Sequence, residues 1–194
     1  SSYMMIYSEQ LYNFLTPLLK LLTIRPVPVL KEQVSNKYDA ILFGSGRVGI
    51  DYMQTFSKLE KAFLVVDFNP EVINKLRSEG IDSVYGDAED VEFLDELPLE
   101  DIKLAVSTMS NFETDLLLIR EIREKNPKAI VVVKTNLIDS AVELYKSGAS
   151  YVVMPHYLGA AYAQRLIKKN GFRPSAYDEL KEKHLKHLAL RGVK

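Results

Sequence analysis

From Lys37 onward the chain switches repeatedly between two hydrophobic periods. YDAILF (38–43), AFLVVDF (62–68), IDSVYG (81–86), IKLAVST (102–108), AIVVVKT (129–135) and SYVVMP (150–155) are short apolar runs. Their Val/Ile/Leu residues are nearly continuous rather than alternating with polar ones, as expected of strands buried on both faces. Between them lie segments with helical spacing: 47–59, 70–80, 90–97, 111–127, 137–149 and 157–171. The helix over 70–80 has Pro70 in its first turn and Gly80 just past its end, the usual asymmetry of helix termini. In 111–127, Leu116, Leu117, Ile119 and Ile122 are the expected buried face. The order βαβαβαβαβαβα predicts an α/β fold: a doubly wound, parallel, six-stranded Rossmann sheet with helices on both faces.

Two flanking segments divide the chain into 1–36, 37–171 and 172–194. The first carries an apolar stripe of Leu11, Phe14, Leu15, Leu18, Leu19 and Leu22, extended upstream by Tyr3, Met4, Met5, Ile6 and Tyr7. Pro26 and Pro28 then end the helical pattern and stiffen the approach to the first strand. The segment reads either as a helix docked on the domain or in a dimer, or as the end of a membrane helix with its linker. Its Tyr residues fit a membrane interface. The last segment, SAYDELKEKHLKHLALR (175–191), is polar and reads as a helical tail.

Composition narrows the function. A net charge of −1 lacks the basic excess of a nucleic-acid binder. With no cysteine, disulfides, thiolate metal sites and a Cys nucleophile are excluded. No apolar run is long enough to cross a bilayer, since Glu9 and Lys20 interrupt the N-terminal stripe. No signal-peptide cleavage pattern follows that stripe.

The first strand runs directly into FGSGRVG, where Gly44, Gly46 and Gly49 satisfy G-x-G-x-x-G between a strand and a helix. In this context the first glycine makes the tight turn, the second lets a phosphate approach the backbone, and the third lets the helix pack closely. A phosphate there meets free N–H groups and the positive end of the helix dipole. The second strand ends in Asp67, 18 residues after Gly49, placed to accept hydrogen bonds from ribose hydroxyls. A carboxylate there repels a 2′-phosphate, which favours NAD(H) or an adenine nucleotide over a 2′-phosphorylated cofactor. The competing reading makes the glycines loop geometry and Asp67 a cap for the helix at Pro70.

GSGRVG, VVDFNPE, YGDAED, VSTMSNFETD and SGASYVVMP, in this order over 38–170, resemble the RCK (KTN, TrkA-N) domain. Such domains regulate potassium channels, Trk and Ktr uptake systems and Kef-type cation/proton antiporters. The resemblance implies that Gly44, Ser45, Gly46, Arg47, Val48 and Gly49 hold phosphates, with Arg47 as an added cation. It places Asp67, with Phe68 beside it, at the ribose, and Asp87 and Ala88 at the adenine edge. Thr108 and Met109 line the crevice, and Lys134 faces phosphates or a second ligand. The cofactor it implies is NAD(H) or AMP, ADP or ATP. Bland alternatives stand beside these: Asp87 and Thr108 as caps of the following helices, Met109 as core filler. Kef-type members have an additional glutathione site, which the resemblance does not carry onto particular residues of this sequence, so a second ligand site stays open.

The resemblance further implies a domain on the cytoplasmic face of the cell membrane, joined to a transporter domain of the same chain. It also implies a homodimer formed through the helices after strands four to six. SSYMMIYSEQLY is similar to the membrane junction of Kef-like antiporters, which ranks an antiporter above a channel or a Trk/Ktr system. A dehydrogenase needs a substrate domain and a proton-transfer group. Too few residues follow the last Rossmann helix for the former. His156, His184 and His187 form no catalytic or metal-binding constellation, so neither catalytic nor metal residues are expected.

Overall fold

The computed structural model describes residues 37–190. The helix and linker expected over 1–36 lie outside the described residues. Six strands alternate with helices: β1 Ala40–Phe43, α1 Gly49–Lys58, β2 Phe63–Asp67, α2 Pro70–Ser78, β3 Ser83–Tyr85, α3 Val91–Glu96 and β4 Leu104–Ser107. Then follow α4 Phe112–Lys125, β5 Ile130–Lys134, α5 Ile138–Lys146, β6 Tyr151–Val153, α6 Pro155–Asn170 and α7 Pro174–Leu190. All strand pairs are parallel, in the order β3-β2-β1-β4-β5-β6. The direction of winding reverses between β1 and β4, and such a switch point opens a crevice at the C-terminal ends of the strands.

Two cores result from strand alternation. On one face Ile41, Phe43, Leu64, Val66, Ala105 and Val131 pack with Leu94, Leu118, Ile119, Ile122 and Leu144 of α3, α4 and α5. On the other, Ala40, Leu42, Val65 and Val106 pack with Met53, Phe56 and Leu76 of α1 and α2. The second face differs from expectation over β5 and β6. Ile130 and Tyr151 are exposed there and Val132 and Val153 half-buried, because none of the 16 residues of α6 is buried. Val132 pairs with Tyr151 in the register, so these side chains share one face. No helix among the described residues covers that strip. A turn at Gly171 (φ 58°) ends α6, and Tyr162 and Leu166 of α6 face Tyr177 and Leu180 of α7 across a cleft.

In α4 the buried stripe is turned from the expected one. Thr114, Asp115, Leu118, Ile119, Glu121 and Ile122 are buried, while Leu116 and Leu117 are half-buried at the core's margin.

The β1–α1 turn shows why glycine recurs. Gly44 has φ +85°, and a Cβ on it would lie 2.7 Å from Thr108 Oγ1. A Cβ on Gly49 would lie 2.6 Å from the Gly44 carbonyl oxygen, backbone that has no room to move. Gly46 has nothing within 4 Å. Gly49→Ala is therefore expected to lower stability by about 1–3 kcal/mol, as overpacking does. Gly46→Ala should stay within about 0.5 kcal/mol. Urea unfolding of the two variants checks the contrast.

Candidate functional site

The crevice is assembled from the loops that leave the C-terminal ends of β1 to β4. Asp67, the last residue of β2, is its polar centre. Its Oδ2 accepts from the Ser45 backbone N–H at 2.8 Å and from the Ser45 hydroxyl. Its Oδ1 accepts from the Asn69 N–H at 2.9 Å. A carboxylate offers about four acceptor positions, so these three bonds leave roughly one free. A ribose diol that donates twice would thus displace the Ser45 hydroxyl, a rotor that can turn away, and leave the backbone bond in place.

Asp67 does not cap α2. That role belongs to Asn69, whose side chain accepts from the Glu71 and Val72 N–H groups. Capping alternatives fail in the same way at the next two loops. Asp90 caps α3 and Asn111 caps α4, which frees Asp87 and Thr108 from that explanation. Asp87 accepts instead from the Glu89 N–H at 3.0 Å, a local turn, and the Gly86 N–H bonds to the Asp67 carbonyl at 3.2 Å. Ala88 is buried beneath this turn. The Thr108 hydroxyl donates to the Gly44 carbonyl at 3.0 Å and its N–H to the Phe43 carbonyl at 2.9 Å. Met109 packs against the core, and its Cγ lies 3.5 Å from where a Cβ of Gly44 would sit.

The fold brings Gly44, Ser45, Asp67, Thr108 and Met109 together. Gly46, Arg47 and Val48 are exposed on the outer turn, and Phe68 is 72% exposed beside Asp67. Arg47 also borders a cleft of about 700 Å³ between α1 and α2. Lys134 stands apart from the glycine-rich turn, half-buried at the end of β5.

One residue passed over in the sequence is set apart by its burial. Asp115, in the first turn of α4, is 1% exposed. Among the described residues neither of its carboxylate oxygens has a hydrogen-bond partner, nor does the buried hydroxyl of Ser107 at the end of β4. Burial pushes the Asp115 carboxyl up to about 6; the Ser107 hydroxyl beside it and the positive charge of Lys134 oppose that rise. A signal for it was present. Asp115, Leu118, Ile119 and Ile122 fall at i, i+3, i+4 and i+7, so an acid occupies the apolar stripe itself. Glu89 was also missed: it accepts from Thr114 Oγ1 at 2.8 Å and Asn111 Nδ2 at 3.1 Å, tying the β3–α3 loop to the start of α4.

The fold and turn define a doubly wound α/β domain with a dinucleotide-type glycine-rich loop. Residues 40–155 match the model of the TrkA-N domain, and the chain belongs to that family. It is similar to the putative cation/proton antiporter YbaL of Escherichia coli (strain K12), at 26% identity over 115 residues. That alignment covers 59% of this chain but 21% of YbaL, so the chain spans about a fifth of that relative's length. Among solved structures, the TrkA-N domain of inner membrane protein ybaL from E. coli aligns with TM-score 0.65 and 25% identity, over 69% of this chain and 99% of that one. The NAD(P)-binding domain of an exopolyphosphatase-related protein from Archaeoglobus fulgidus aligns with TM-score 0.61 and 27% identity, over 68% and 98%. The AMP-bound Kef C-terminal domain of Shewanella denitrificans shares the fold, with TM-score 0.57 and 16% identity, over 78% and 92%.

The buried acid has a consequence for stability. Its pKa is raised in the folded state, so the folded chain favours the protonated form. The penalty for the charged form is absent below about pH 4 and complete above the folded pKa of about 6. Asp115→Asn is expected to stabilise the domain at pH 7.5, by at most about 3 kcal/mol. That gain should shrink as pH falls from 6 to 4. Melting temperatures of both proteins across this range test it.

Proposed function

We propose that the domain binds NAD(H) or an adenine nucleotide in this crevice and thereby regulates a monovalent cation/proton antiporter. The observation that carries the reading is the Asp67–Ser45 contact beside the open backbone of Gly46. A fixed carboxylate for the ribose stands next to unobstructed peptide groups for the phosphates. In this reading Gly44 to Gly49 hold the pyrophosphate or phosphate with help from Arg47. Asp67 and Phe68 meet the ribose, Asp87 and Ala88 the adenine edge, and Thr108, Met109 and Lys134 the far wall. The A. fulgidus relative, an NAD(P)-binding domain, supports a dinucleotide. The AMP-bound Kef domain is a fold-level parallel for the mononucleotide.

Antiporter regulation rests on the likeness to YbaL. Gating of a K⁺ channel or a Trk/Ktr system is the second reading, and a stand-alone oxidoreductase ranks below both. In this reading the domain acts as a sensor rather than an enzyme; His156 and His184 are exposed, in the first turn of α6 and on α7. Residues 1–36 would link it to a membrane-embedded part of the same chain, on the cytoplasmic face. No helix among the described residues is long and apolar enough to cross a membrane. A second copy is the proposed cover for the exposed strip on β5 and β6, through an α6 that buries nothing of its own. Its Tyr157, Leu158, Tyr162 and Ile167 supply the apolar area. Light scattering at micromolar concentration should report a dimer; a monomer would remove this part of the reading.

Thermal melts with NAD, NADH, AMP, ADP and ATP test the binding. A ligand at about 100 times its Kd adds roughly 2.7 kcal/mol, on the order of 5–11 °C for a chain of this size. No shift with any of the five at millimolar concentration would sink the sensor. Asp67→Ala is expected to weaken binding by roughly 1.5–3 kcal/mol, the worth of a hydrogen bond to a charged group; isothermal titration measures it.

A further inference from the structure

The loops around the crevice are joined into a closed ring of hydrogen bonds. Ser45, just past the end of β1, donates its N–H to Asp67 of β2 at 2.8 Å. The Asp67 carbonyl accepts from the Gly86 N–H, past the end of β3, at 3.2 Å. On the other side the Thr108 hydroxyl, past the end of β4, donates to the Gly44 carbonyl at 3.0 Å. The gap from the β3–α3 loop to the β4–α4 loop is spanned by Glu89. Its Oε1 accepts from Thr114 Oγ1 at 2.8 Å and from Asn111 Nδ2 at 3.1 Å. Asn111 is itself oriented, because its Oδ1 accepts from the Glu113 and Thr114 N–H groups. Thr114 is 3% exposed, so its hydroxyl is sheltered from water and depends on the Glu89 acceptor.

We propose that Glu89 is a positioning residue for the nucleotide: it closes the rim and holds the adenine-edge loop in its binding conformation before a ligand arrives. This rests on the nucleotide reading above. The loop is pinned at two points. Its root is fixed at Gly86, by the bond to Asp67 and by the Phe93 ring, which occupies the space a Cβ there would need. Its far point is fixed at Glu89. Asp87 and Ala88, the pair assigned to the adenine edge, are the two residues between the pins. The Glu89 N–H donates to Asp87 Oδ1 at 3.0 Å, so Glu89 also sets the direction of that carboxylate. A loop ordered in advance spares the ligand the entropy of ordering it. The role needs an acceptor rather than a charge, since an amide oxygen accepts the same two bonds. Glu89 acts through Asp87 and Ala88 and not by touching ligand atoms.

The test is isothermal titration of the full chain with AMP or, where another of the five nucleotides binds more tightly, with that one; all carry adenosine. Wild type is compared with Glu89→Ala, Glu89→Gln, Thr114→Val and the Glu89→Ala/Thr114→Val double variant. Melting temperatures without ligand separate folding from binding. Glu89→Ala is expected to raise the Kd about tenfold, as re-ordering one or two side chains on binding would. Thr114→Val breaks one of the two bonds and should raise it about threefold. The double variant should bind no worse than Glu89→Ala, because both changes open the same latch. Glu89→Gln keeps the acceptor and should stay within about twofold of wild type. Glu89 is exposed, so its two variants carry the test even if Thr114→Val does not fold. Unchanged affinity in Glu89→Ala, Glu89→Gln as weak as Glu89→Ala, or additive effects in the double variant would overturn the positioning role alone. No binding of any of the five nucleotides to the wild-type chain would sink the nucleotide reading and this role with it.

Discussion

Three strand ends are tied to one another around the turn at Gly44. Its N–H bonds to the Val66 carbonyl of β2 at 2.8 Å, its carbonyl accepts from the Thr108 hydroxyl at 3.0 Å, and the next N–H, of Ser45, is held by Asp67 at 2.8 Å. The turn needs φ +85° and a bare Cα, since a side chain would collide with Thr108. α1 then starts so close to the same turn that only Gly49 fits against the Gly44 oxygen. Each contact depends on the others. A residue larger than glycine at 44 or 49 would move the helix terminus, and the distance between Asp67 and the open peptide at Gly46 would change with it.

Polar burial is divided between the two edges of the sheet. Ser45 and Ser107 are buried at the C-terminal ends of β1 and β4 and Thr114 and Asp115 in the first turn of α4, whereas Ser83 begins β3 and Glu121 lies further along α4. The strands themselves contribute Ile41, Leu42, Phe43 and Val65, with no exposed surface. Burying an unpaired polar atom costs about 1–3 kcal/mol. Among the described residues Ser107 and Asp115 carry such atoms next to the crevice loops, and Ser83 carries one at the opposite edge. At that opposite edge Asn126 donates to the Leu99, Glu100 and Ile102 carbonyls and accepts from the Lys128 and Ala129 N–H groups.

Much of this was legible in the order of residues. Continuous apolar runs and glycine–proline punctuation identify the strands and helices of 37–171, because parallel strands buried on two faces have a signature of their own. The glycine-rich turn and Asp67 were readable since their spacing is fixed by backbone geometry. Capping was not. Asn69, Asp90 and Asn111 each sit within three residues of another candidate, and a choice among neighbouring Asx residues depends on φ and ψ that no spacing reveals. Asp115 was hidden by its chemistry: an acid beside Thr114 and Glu113 reads as part of a solvated first turn, and only its register with Leu118, Ile119 and Ile122 gives it away. The bare strip on β5 and β6 was invisible for a different reason. Ile130, Val132 and Tyr151 have the same apolar pattern whether their cover comes from this chain or another.

That strip bears on how a binding event could leave the domain. β6 ends at Val153 and α6 begins at Pro155, so α6 departs from the same edge of the sheet that carries the crevice. The Thr135 N–H bonds to the Val153 carbonyl at 3.1 Å, one residue past Lys134. The residue that would sense an anion is thus joined by backbone to the root of the helix that buries nothing in its own domain. A ligand shifts an equilibrium only as far as its affinities for two states differ. Such a difference is most readily built where an element has no fixed cover of its own and takes its packing from elsewhere. Among the described elements α6 meets that condition, whereas α1 to α5 each commit residues to the core. On the proposed reading, the loops at the C-terminal ends of the strands hold the nucleotide, and the open strip on β5 and β6 converts its presence into a change of packing.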